Sequence, residues 1–146
     1  MSVQINIYNL AELGSPMGQY SHVTRVKASE FLFIAGMLAG DSKGEIIGDG
    51  DFDAQAAQAF ANIAAALKSA DAGWSNVVQF TTYLVHSQDI PNFIQFRARE
   101  FPRLFPSGKY PPNTLLIVDR LVQEPFLIRG ADGGCAVTAA VNRCGI

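Results

Sequence analysis

Histidine and cysteine are scarce in this chain. Cys135 and Cys144 sit together near the C-terminus, and His22 and His86 stand alone far from them. Neither a zinc cluster nor a disulfide framework has the spacing it needs, so free thiols in a reducing compartment are expected. Charge is sparse too, at 16% of residues with a net value of −2, which provides no basic footprint for nucleic acid. No apolar run approaches the roughly 20 residues of a membrane helix. The opening "MSVQINIYNL" lacks the basic flank and apolar core of a secretory signal. A soluble, cytoplasmic protein is expected. P-loop, GxGxxG, HExxH, GxSxG and CxxC motifs are all missing.

Apolar residues, by contrast, make up 49% of the 146 positions. A chain of this length can form one domain that buries about two-thirds of its unfolded surface. The hydrophobic lean points to some apolar surface shared between subunits.

"VQINIY" alternates like a strand, and "LGSPMGQYS" reads as a loop. "HVTRVKA" and "FLFIAG" are expected to form an antiparallel hairpin turning at Ser29-Glu30. The acids of "GEIIGDGDFD" lack the ordered spacing of a calcium loop and read as a solvated turn with a helix cap. Asp51 or Asp53 opens a helix whose buried face is Phe52, Ala56, Phe60, Ile63, Leu67 and Ala70, ending through Gly73. "NVVQFTTYLV" is a strand with Val78, Phe80, Thr82 and Leu84 on one face. A second helix starts near Asp89, with Pro91 in its first turn. Its buried side is marked by Phe93, Phe96, Glu100 or Phe101, and Leu104, and Pro102 is expected to kink it or restart it as a short turn.

"KYPPNTLLIV" places two prolines at a strand mouth, with Asn113 where the apolar run emerges. The order β-β-β-α-β-α-β-β gives an α+β fold: a mixed sheet with two helices packed on one face. The uncovered face then predicts a closed homo-oligomer.

Five blocks, "GQYSHVTRV", "FLFIAGML", "GEIIGDGDFDAQAAQAFANIAAAL", "VVQFTTYLV" and "KYPPNTLLIV", together resemble the RidA/YjgF family in its order and spacing. The resemblance treats residues 1–146 as a single domain and is clearest over 18–128. It implies a chorismate-mutase-like fold and a homotrimer with ligand clefts between subunits. It also implies hydrolysis of reactive enamines and imines to 2-oxo acids and ammonia, without metal or cofactor. Carried over by position, the family's loop tyrosine falls on Tyr20 and its cleft glycine on Gly36. The arginine that grips the substrate carboxylate falls on Asn113, followed by Thr114, and a common cysteine falls on Leu115.

Asn113 cannot reproduce a charged, forked pair, which contributes about 1.5–3 kcal/mol against about 0.5–1.5 for a neutral hydrogen bond. Ala35 and Met37 replace polar neighbours of the glycine. The glutamates of the family's last strand fall near Arg129 and Ala131, leaving only a shifted Asp132. Arg97 falls where many deaminases carry a helical Asn facing the cleft, so it could restore the missing cation. The alternative is an i,i+3 pair with Glu100. After Ile128 the sequence turns to Gly, Ala, Asp and Cys, poor material for a central strand. With one choice of codons for "RGADGGCAV", omitting the first base would convert this stretch into an ordinary family ending.

Two functional expectations result. One is a trimer that binds a small polar or carboxylated metabolite through Tyr20, Gly36, Arg97, Asn113 and Thr114, with enamine or imine hydrolysis as the reaction class and no catalytic residue assigned. The other is a non-catalytic ligand sensor or protein-interaction module on the same trimer. Partners are a small molecule and further copies of the chain, not nucleic acid or membrane. Ribonuclease activity, sometimes attributed to the family, has no histidine pair or basic groove to support it.

Overall fold

The computed structural model describes residues 2–130 and 135–141. In chain order its elements are β1 (Gln4–Tyr8), β2 (Val23–Lys27), β3 (Glu30–Ile34), α1 (Phe52–Lys68), β4 (Val77–Leu84), α2 (Ile90–Leu104), β5 (Asn113–Ile117), β6 (Ile128–Gly130) and β7 (Cys135–Val141). The main sheet runs β3-β7-β4-β5, with β6 also on β4. Only β4 and β5 are parallel, joined through α2, so the sheet is mixed as expected.

α1 starts where the sequence places it. Asp51 caps it by accepting from the Ala54 N–H at 3.1 Å, and Phe52, Ala56, Phe60, Ile63 and Leu67 form its buried face. It ends at Lys68, short of Gly73. Asp71, not the glycine, takes the left-handed backbone at φ 53°. In the preceding turn Asp41 accepts from the N–H groups of Lys43 and Glu45 at 2.8 and 2.9 Å, so this acid organises the turn.

α2 runs through Pro102 to Leu104. Proline in the last turn deprives one carbonyl, that of Ala98, of its helical partner, and Phe105 still donates to the Phe101 carbonyl at 2.7 Å. Glu100 is not on the buried face; that face is Phe93, Phe96, Arg97 and Phe101. Phe60 lies 5.2 Å from Phe96 and 5.7 Å from Phe101, centroid to centroid, and Phe80 completes an aromatic core between helices and sheet.

Two expectations about strands are corrected. β2 and β3 are not a hairpin: β2 pairs with β1, and β3 pairs with β7. The link between them is Ala28-Ser29, and neither adopts the positive φ that a tight two-residue hairpin turn requires. The second correction concerns the C-terminal stretch: β7 is a central strand, laddered to β3 on one side and β4 on the other. Its alanines suit that position, because Ala139 and Ala140 are fully buried between strands carrying large side chains. The shifted-frame conjecture reaches past β7; residues 131–134 and 142–146, including Asp132 and Cys144, lie outside the described residues.

Leu32 and Ile34 pack toward the helices, so Phe31 and Phe33 project from the opposite sheet face, where Phe33 is 82% exposed.

Candidate functional site

The loop between β1 and β2 is pinned at its base. Asn9 Oδ1 accepts from the His22 N–H at 2.8 Å, and His22 Nδ1 accepts from the Leu10 N–H at 3.2 Å. His22 therefore serves as a loop clamp. The sequence singled it out only as isolated, since its partners lie twelve or more residues away. Within the clamped loop Tyr20 sits over α2. Its N–H donates to the Gly18 carbonyl at 3.0 Å, and its hydroxyl accepts from the Met17 N–H at 3.4 Å.

Beneath Tyr20 is Arg97, only 5% exposed. Its guanidinium carbon stands 4.7 Å from the Phe93 ring centroid and 6.0 Å from those of Tyr20 and Phe101. A desolvated cation over an aromatic face gains roughly 2 kcal/mol. Gly18 lies beside this guanidinium, and a Cβ there would make only an ordinary contact with Arg97 Nη2, at 3.5 Å. The i,i+3 pair with Glu100 does not form. Glu100 instead accepts from Arg99 at 3.2 Å and Arg103 at 2.9 Å, both on the exposed side of the helix. Hydrogen bonds to Asp53 and then Glu100 hold Arg99 above its already high pKa.

Asn113 forms a second centre. The Pro112 carbonyl ahead of it accepts from the Phe80 N–H at 2.9 Å, which seats the strand mouth on β4. Asn113 Oδ1 accepts from the Thr82 hydroxyl at 2.7 Å, and Thr82 is fully buried. Asn113 pairs with Phe80 and so shares the helix-side face. Thr114 pairs with Thr81 and takes the outer face, exposed. Gly36 lies in the partly exposed segment after β3. The structure thus groups Tyr20 with Arg97 and Asn113 with Thr82, while Thr114 lies on the other side of the sheet from Asn113.

Thr82 marks a further junction. It faces both Gly130 of β6 and Cys135 of β7, so the ladder along β4 resumes, five residues later, at the position it left. The last strand is interrupted beside Asn113's partner. The sequence signal was the Gly-rich run, which read as strand collapse and not as a break in register.

The chain matches the protein family described as Endoribonuclease L-PSP over residues 11–128. It is 31% identical to RutC family protein slr0709 of Synechocystis sp. over 82% of this chain and 88% of that one. Among solved structures it resembles a Rid-family protein of unknown function, YyfB from Yersinia pestis, with TM-score 0.80 and 25% identity over 94% and 98% of the two chains. A more distant fold relative is E. coli TdcF, solved with bound serine, at TM-score 0.66 and 17% identity over 79% and 84%.

Proposed function

The chain belongs to the RidA/YjgF family, the Endoribonuclease L-PSP or RutC group, and from that premise we propose that it is a homotrimer binding a small carboxylated metabolite in clefts between its subunits. The observation that carries the reading is Arg97, a buried guanidinium beneath Tyr20, the residue that matches the family's cleft tyrosine. In this branch Asn113 stands where deaminases place their carboxylate-gripping arginine. Arg97 supplies the positive charge from α2 instead. Serine bound to TdcF is a ligand of the size and charge such a cleft would take. The exposed outer sheet face, with Phe33 at its edge, is the surface through which subunits would associate.

Hydrolysis of an enamine or imine is the reaction class that accompanies this site in its relatives. A second reading, a sensor that binds without chemistry, draws on the Asn113–Thr82 bond. That bond occupies the amide oxygen at the position where relatives make their strongest substrate contact. Calorimetric titration with 2-oxobutanoate, together with ammonia release from 2-iminobutanoate generated in situ, tests both. Saturable binding that falls at least tenfold in Arg97→Ala supports the site. Ammonia above the buffer rate adds the deaminase, and binding without ammonia leaves the sensor. Unchanged affinity in Arg97→Ala overturns the assignment of Arg97.

A further inference from the structure

On the outer surface of the helix layer, away from the sheet face proposed for subunit contact, α1 and α2 part to form a cavity of about 380 Å³. Its size is within the range of small-molecule sites, and its walls have the aromatic character common to them. Phe60 and Trp74 stack at 5.8 Å with 24° between their planes, and Phe96 and Leu104 close the α2 side. The Trp74 turn is held firmly. Asn76 accepts from the Gly73 N–H at 3.0 Å and donates to the Ala140 carbonyl of β7 at 2.9 Å. The space exists because α1 presents small residues along this side: Ala57 and Ala61, both exposed, and the half-buried Ala64 line it.

Charge at the rim distinguishes between ligands. Both oxygens of Glu100 are already engaged, Oε1 by Arg99 and Oε2 by Arg103. Arg103 contributes one nitrogen to that bond, lines the cavity and is 75% exposed, so its remaining donors are open to solvent at the cavity's edge. A carboxylate would find an unspent guanidinium edge there, whereas an ammonium would have to compete with two arginines for Glu100. We propose that this cavity is a second ligand site, separate from Arg97 and Asn113, for a small ring-bearing carboxylic acid. The ring lies against Trp74 and Leu104, which Phe60 and Phe96 back from the core, and the carboxylate is held by Arg103.

The chain's one tryptophan is in the wall, so its emission reports occupancy directly. The probe is 4-phenylbutyrate, titrated against the full chain with excitation at the red edge of tryptophan absorption. Expected is a saturable change in Trp74 emission, roughly tenfold weaker binding for neutral 4-phenylbutanol and a similar loss in Arg103→Gln. In Ala61→Leu, which puts a bulkier side chain and a good helix former into that wall, the response should fall at least tenfold. An absent or non-saturable response would overturn the site, as would equal affinity for acid and alcohol or an unaltered response in Ala61→Leu. A Trp74 signal that follows protein concentration instead of added acid would assign the groove to a second copy and overturn it too. Melting temperatures of both variants close to wild type keep these outcomes distinct from misfolding.

Discussion

At the scale of single residues, the buried polar groups decide what the molecule tolerates. Gln55 is fully buried in α1. It donates to the Gly48 and Pro125 carbonyls at 3.1 and 2.9 Å and accepts from the Leu127 N–H at 2.8 Å. One side chain thus ties a turn before the helix to a segment about seventy residues away. Gln55→Ala leaves three backbone groups short of a partner and should cost roughly 3 kcal/mol, read as a lowered urea midpoint. Gln55→Glu keeps the acceptor for Leu127 but loses both donations and buries a charge, so it should be no better than alanine. This role is not legible in the sequence, because an amide at a helical position inside an apolar stripe looks like a surface residue. Arg97 was legible for the opposite reason. An arginine four residues after Phe93 on an apolar stripe is out of place, and the structure buries it there.

Among elements, the two helices and β4 could be read because their periodicity is set by a one-sided core: the large apolar residues that the spacing marks are buried, while Ala70, Glu100 and Leu104 at the ends of the pattern are not. The last strand could not be read. Its residues are small, since its neighbours supply the bulk, and its register breaks at Thr82, which a pattern search treats as an end. The ladder itself makes a prediction. Removing residues 131–135 would join Gly130, opposite Thr82, directly to Ala136, opposite Thr81, giving an uninterrupted strand. Such a deletion should fold, with a melting temperature no more than a few degrees below the parent, because shortening a connection changes loop entropy by only about 1 kcal/mol or less. Loss of cooperative unfolding would show that the interruption is needed by the fold. The missing β2–β3 hairpin shows a related limit. Two alternating segments close in sequence suggest pairing, but Ala28-Ser29 cannot make the turn that pairing needs.

For the whole molecule, the outer sheet face is the surface on which the proposed assembly depends. Phe33 is nearly as exposed as a free side chain, so within one subunit its replacement should change stability by no more than about 0.5 kcal/mol. Within an assembly built on that face, Phe33→Lys would place a charge in an apolar contact. Light scattering should find the parent at three times the 15.7 kDa chain mass and the variant at a single chain mass. A parent that runs as a monomer would remove the inter-subunit cleft from the proposal while leaving the helix-side cavity intact.

The pairing of β3 with β7 also has a consequence for how the protein is made. Leu32 meets Ala139 and Ile34 meets Val137, so this ladder joins an early segment to a very late one. A ribosome must translate nearly everything between them, and release Val141 from its exit tunnel, before β3 has its neighbour. Until then β3 is an apolar strand without its pair on a nascent chain, the kind of surface that chaperones capture and that aggregates when they do not.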